Sequence, residues 1–202
     1  MIDRHVIAWL RPALTALAVG LARIGVRANA LTFAGFAIGL AGSACIAFGH
    51  AVSGLALLAA GRLCDGLDGA VARLTVATDR GGFLDITLDF IFYASVPLAF
   101  AVADPAANGL AAAVLLASFV GTTSSFLAFA VLAAQRNLKS EAYPTKGIFY
   151  LGGLAEATET FVCFALMCLW PAHFAALAYG FAALCGITTL TRILAGWRAL
   201  TP

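Results

Sequence analysis

The stretch Asp65-Gly66-Leu67-Asp68-Gly69-Ala70-Val71-Ala72-Arg73, followed after a short link by Gly81-Gly82-Phe83-Leu84-Asp85-Ile86-Thr87-Leu88-Asp89, decides how this chain is read. Four aspartates stand in two pairs at the ends of two apolar runs. An acid in an apolar membrane helix costs on the order of several kcal/mol. Four together repel one another unless something positive sits among them, and divalent cations are the simplest candidate. Asp65 and Asp68 are three apart and share one helical face with Ala72; Asp85 and Asp89 are four apart and share another. The link from Thr75 to Gly82 is short, so the two helices lie side by side, antiparallel and at one depth. The four carboxylates can then converge near one membrane edge.

The rest of the chain supports a membrane setting. It has 202 residues, 62% hydrophobic and only 11% charged, which excludes an ordinary soluble domain. Residues 1–27 are a poor signal peptide, because Arg11 and Pro12 interrupt the apolar run. Ile7, Leu10, Leu14, Leu17, Leu21 and Ile24 instead recur at helical spacing, with Arg4, Arg11, Arg23 and Arg27 on the other side. This predicts an amphipathic helix lying in the membrane interface. Six apolar stretches follow, at roughly 30–49, 53–75, 83–103, 108–134, 147–170 and 173–197. Each is long enough to span about 30 Å of hydrocarbon. The expected fold is therefore an all-α integral membrane domain over residues 1–202, six transmembrane helices (30–197) preceded by the interfacial helix (1–27).

Charge placement gives the orientation. Arg73, Arg80, Arg136, Lys139, Lys146, Arg192, Arg198 and the N-terminal arginines all fall on one side of that arrangement. The opposite connections, Gly49–Ser53, Ala103–Ala107 and Pro171–His173, carry no Lys or Arg. The positive-inside rule then predicts a multi-pass membrane protein with both termini and the aspartate end on the cytoplasmic side. The cysteines (Cys45, Cys64, Cys163, Cys168, Cys185) lack metal-ligand spacing and read as small buried hydrophobes. His5, His50 and His173 are scattered and suggest no metal site.

Hard oxygen ligands in this number suit Mg²⁺, Mn²⁺ or Ca²⁺ rather than zinc. Two ions can be bridged by shared carboxylates, and a two-metal site clamps both oxygens of a phosphoryl displacement. Gly66, Gly69, Ala70, Ala72, Gly81 and Gly82 leave little side-chain bulk, so an extended ligand can approach the backbone. Arg73 and Arg80 stand beside the acids and suit phosphate oxygens.

These residues resemble the signature of the CDP-alcohol phosphatidyltransferase family, D-x-x-D-G-x-x-A-R, a spacer, then G-x-x-x-D-x-x-x-D. The matching positions are Asp65, Asp68, Gly69, Ala72, Arg73, Gly81, Asp85 and Asp89. The spacer Leu74–Arg80 has seven residues, one fewer than is usual for the family. The resemblance implies transfer of a phosphatidyl group from a CDP-alcohol, CDP-diacylglycerol by expectation, to a small alcohol with release of CMP. It implies two Mg²⁺ or Mn²⁺ ions held by Asp65, Asp68, Asp85 and Asp89, with Asp89 also the general base for the acceptor hydroxyl. Gly69, Arg73 and Thr78 would contact the CDP moiety. Asn29 and Thr32 resemble the family's Pro-Asn-x-x-Thr entry to its first span, with Ala28 in place of the proline. A homodimer is implied, its partners being membrane lipid and small molecules; no nucleic-acid partner is expected.

The acceptor is less legible. Glu156 and Glu159 share a face of the fifth expected span, and intramembrane acids are functional candidates. They read either as the wall of an acceptor pocket or as structural partners of Arg62. Lys146 and Arg192 lie at the basic end and suit an acceptor phosphate, although positive-inside bias places such residues too. Glycerol 3-phosphate is the first acceptor expected, and an unphosphorylated polyol or amino alcohol is the alternative. A cation- or proton-coupled transporter is a competing class, but it would spread its acids through the membrane depth rather than gather them at one edge.

Overall fold

The computed structural model describes residues 3–136 and 153–200. In chain order they form α1 (Asp3–Arg23), α2 (Ala28–Ala47), α3 (Ala51–Leu74), α4 (Asp79–Ala103), α5 (Pro105–Gln135), α6 (Ala157–Leu169), a 3-10 turn (Pro171–His173) and α7 (Phe174–Ala199). The links fall where the chain cannot continue a helix. Gly25 and Gly49 adopt φ of +79° and +84°, which favours glycine. Asp104 caps α5 by accepting from the Ala107 N–H at 3.0 Å, with Pro105 as the first helical residue.

The all-α architecture agrees with the sequence, but the six-span expectation is corrected. Among the described residues, four helical stretches are long and apolar enough to cross a membrane: α2, α4, α5 and Pro171–Ala199. Helix α3 has the length, at 24 residues, but Arg62, Asp65, Asp68 and Arg73 load its C-terminal half with charge. Of the expected span 147–170, residues 147–152 lie outside the described residues, and among the rest the α-helix covers 13 residues, Ala157–Leu169. Residues 153–156 are non-helical because other partners take their backbone groups. The Leu154 and Ala155 N–H groups donate to Thr188 Oγ1 at 3.1 and 3.0 Å, and the Gly153 N–H donates to Glu156 Oε1 at 3.1 Å. Gly153 presses so closely on α7 that a Cβ there would collide with Thr188 Cγ2.

Among the described residues helix α1 runs from Asp3 to Arg23, ending before residue 27, and part of its apolar face is taken by protein. Ala18 is buried with Ala70 and Val71 of α3, Leu21 packs beside them, and Leu14 lies over Gly66. Helices α2 and α3 approach through glycines: a Cβ on Gly61 would sit 2.8 Å from the Gly35 carbonyl, and one on Gly54 2.8 Å from the Gly42 carbonyl. Small residues at a helix interface allow this approach. A hydrogen bond of 2.7 Å between Ser43 and Ser95 ties α2 to α4. The fully buried core residues Ile46, Phe100 and Phe174 lie near the 48–50, 104 and 170–173 links, with Phe100 stacked on Phe174 at 4.5 Å. That is the end opposite the aspartates; the smaller cluster of Ala18, Ala70 and Val71 is buried at the aspartate end.

Candidate active site

Helices α3 and α4 are joined by the link 75–78, and their adjoining ends carry all four aspartates. They do not pack side by side as expected: α2 packs against both, and the acids meet through their side chains. Thr78 begins α4 by accepting from the Gly81 N–H at 3.1 Å, which fixes where Asp85 and Asp89 fall on the helix. Carboxylate oxygens of Asp65, Asp68 and Asp85 lie within 4.8 Å of one another. Asp68 is buried, and its Oδ2 has no hydrogen-bond partner. A buried carboxylate oxygen without a donor is costly. Three converging carboxylates, one of which carries an orphaned oxygen, fit a divalent cation.

The fourth acid is held differently. The Arg62 guanidinium donates through Nη1 to Asp89 Oδ1 and pairs through Nη2 with Asp65 Oδ2 at 2.9 Å. Its carbon lies 5.8 Å from the Phe92 ring centroid and 5.5 Å from that of Tyr93. The sequence left open a pairing of Arg62 with Glu156 and Glu159; the structure pairs it with Asp65 and Asp89 instead. The spacing of Arg62 and Asp65 was a visible signal, because residues three apart share a helical face.

Two cavities meet at the acids. A small one of about 20 Å³ is lined by Thr32, Gly35, Arg62, Asp65, Asp85 and Asp89 among others. A larger one of about 290 Å³ shares Asp85 and Asp89 and reaches Tyr93, Thr122, Glu156 and Arg192. Arg192 is buried on α7, donates to the Thr122 carbonyl at 3.1 Å, and lies 5.6 Å from the Phe126 ring. Glu156 is buried at the start of α6. Both therefore border the same space as Asp89. Glu159 stands in the first turn of α6 and is not among the residues lining that space. Lys146 lies outside the described residues.

The remaining predicted contacts surround the acids. Thr32 is buried and donates to the Ala28 carbonyl at 3.2 Å. Asn29 approaches α4, with its Oδ1 3.1 Å from where a Cβ on Gly81 would stand. Arg73 is exposed and folds back over Gly69, where a Cβ would meet its Nη1 at 3.3 Å. Tyr93, Thr122 and Thr160 border the larger cavity and were not singled out as ligand contacts from the sequence.

The profile of the CDP-alcohol phosphatidyltransferase family matches residues 25–194. The chain belongs to that family, and its activity is that of a CDP-alcohol phosphatidyltransferase. It is similar to the inner membrane protein YnjF of Escherichia coli (strain K12), at 48% identity over 200 residues, covering 99% of this chain and 97% of that protein. With its apolar helices, this makes it a multi-pass inner-membrane protein. Its fold is that of Mycobacterium tuberculosis phosphatidylinositol phosphate synthase (PgsA1). The structure of that protein with CDP-DAG bound has a TM-score of 0.72 at 22% identity, covering 91% of this chain and 93% of that one. The structure in complex with manganese and citrate also has a TM-score of 0.72 at 22% identity, covering 91% and 88%.

Proposed function

We propose that the protein transfers a phosphatidyl group from CDP-diacylglycerol to a small alcohol and releases CMP, at the cytoplasmic face of the inner membrane. The observation that carries this reading is the placement of Asp89, which borders both the acid cluster and the larger cavity. The CDP-DAG bound to the PgsA1 structure supports the choice of donor. Asp65, Asp68 and Asp85 are the residues to hold Mg²⁺ or Mn²⁺, with Asp89 a further ligand when a second ion binds; the manganese complex of PgsA1 supports that choice. Bound there, such ions would neutralise the diphosphate and favour the alkoxide form of the acceptor.

The chain's own residues supply the rest. Gly69 leaves the surface of α3 bare, so the diphosphate can lie close to the backbone beneath Arg73. Asn29, Thr32 and Thr78 border the same end of the bundle and complete the cradle for the CDP moiety. Asp89 takes the proton of the acceptor hydroxyl. The acceptor oxygen forms a bond to the phosphorus that carries the lipid, and the bond from that phosphorus to the CMP oxygen breaks. The larger cavity holds the acceptor, and its mostly apolar walls limit water.

Arg192 favours a phosphorylated acceptor such as glycerol 3-phosphate, since a buried guanidinium binds phosphate in a fork. Glu156 on the same wall favours the second reading, an unphosphorylated polyol or amino alcohol. Purified protein incubated with CDP-diacylglycerol, Mg²⁺ and each acceptor in turn separates them by mass spectrometry of the lipid product. A phosphatidylglycerol phosphate product supports the first reading, and a phosphatidyl-polyol or phosphatidyl-amino alcohol the second. No new lipid from any acceptor would refute the proposed transfer.

A further inference from the structure

We infer that Arg62 is the resident counter-cation of the aspartate cluster, a positioning residue that holds Asp89 until metal arrives and then releases it. This rests on the metal-site reading above. Four carboxylates gather at the adjoining ends of α3 and α4, and one guanidinium bridges two of them, Asp65 and Asp89. The bridge spans the two helices and keeps their acids at one depth. It also divides the acids: Asp65, Asp68 and Asp85 bring oxygens together, while the Asp89 Oδ1 is taken by Arg62.

A metal bound at the three acids places positive charge beside Arg62, and the two cations repel. Arg62 does not need to leave for water when its carboxylates are shared. Its guanidinium already lies against the Phe92 and Tyr93 rings, whose faces attract a cation in an apolar setting. Asp89 is then freed toward the larger cavity that it also lines. The protein so has two charge-balanced arrangements: one held by Arg62 before metal binds, and one held by metal with Asp89 released.

The test compares wild type, Arg62→Gln, Arg62→Lys and the double variant Arg62→Gln with Asp89→Asn, in detergent. Thermal unfolding is read in EDTA and in Mn²⁺, and Mn²⁺ affinity by calorimetry. In EDTA, Arg62→Gln unfolds several degrees below wild type, and both Arg62→Lys and the double variant recover most of the loss. In Mn²⁺ that loss disappears, and Arg62→Gln binds Mn²⁺ about tenfold more tightly than wild type, because a competing charge is gone. Wild-type Mn²⁺ affinity in Arg62→Gln, or a loss in EDTA that neither Asp89→Asn nor Mn²⁺ relieves, overturns the inference. A wild type that binds no Mn²⁺ overturns the metal reading and the exchange with it. Should Arg62→Gln fail to fold, Asp89→Asn against the double variant gives the same comparison through Asp65 alone.

Discussion

Asp68 carries an orphaned oxygen in a buried position, and that single atom says most about what the site lacks on its own. An ionised carboxylate there opposes folding, and the proposed cation would offset that cost. Asp68→Asn should therefore have opposite effects in two media. In EDTA it raises the unfolding temperature, by relieving repulsion among the acids. In Mn²⁺ it lowers metal affinity at least about tenfold, as loss of a metal-supporting group generally does. Calorimetric titration and thermal unfolding in detergent check both arms. The four acids were legible because their spacing repeats a helical turn and because apolar surroundings make any acid conspicuous. The partition among them was not. Whether Arg62 meets Asp89, 27 residues away, depends on the rotation of α4 against α3, which no spacing within one helix records.

Helices α3 and α6 show how elements depart from a hydropathy reading. The glycines of α3 were noted only beside the acids, yet Gly54 and Gly61 let α2 come close enough to place Thr32 at the small cavity. Gly61→Ala should destabilise the bundle by roughly 1–3 kcal/mol, because its Cβ meets backbone that cannot yield locally. Gly109→Ala is the control, since a Cβ there meets nothing within 4 Å, and its effect is neutral or slightly stabilising. Both are read from unfolding in detergent. In α6 the apolar run continues upstream, but Thr188 captures the N–H groups of Leu154 and Ala155 and starts the helix late. Thr188→Val leaves those donors unsatisfied and should cost about 1–3 kcal/mol per stranded group. The acceptor that overrode the run lies more than thirty residues downstream, beyond the reach of a local pattern. The same displacement brings Glu156 to the wall of the cavity instead of the middle of a span.

At the scale of the molecule, charge gathers at one end and the aromatic stack of the main core lies at the other. Arg73 ends α3, Arg80 opens α4, and Arg136 at the end of α5 donates to the Leu200 carbonyl at 2.9 Å, which joins the ends of α5 and α7. The stacked Phe100 and Phe174 lie at the other end. The proposed orientation puts the basic end in the cytoplasm, so a cysteine at Val76 should react with an impermeant maleimide only from that side. A cysteine at Phe48 should react only from the other. Both positions are exposed, and the native cysteines would first be replaced by alanine. The end-to-end asymmetry was readable from the sequence, because it follows from which links carry Lys and Arg. The number of long apolar helices was not, because charge at the site and the late start of α6 both interrupt runs that composition alone joins together. Asp89, facing both the acid cluster and the larger cavity, is where this arrangement meets the chemistry. The decisive measurement is CMP release from CDP-diacylglycerol by wild type and Asp89→Asn, across the acceptor panel, in Mn²⁺ and in EDTA. Wild type should release CMP in Mn²⁺ and stop in EDTA, while Asp89→Asn should be slower by about 10²–10⁴-fold yet still bind Mn²⁺. Release by Asp89→Asn at the wild-type rate, or wild-type release that persists in EDTA, would show that these aspartates do not carry the transfer.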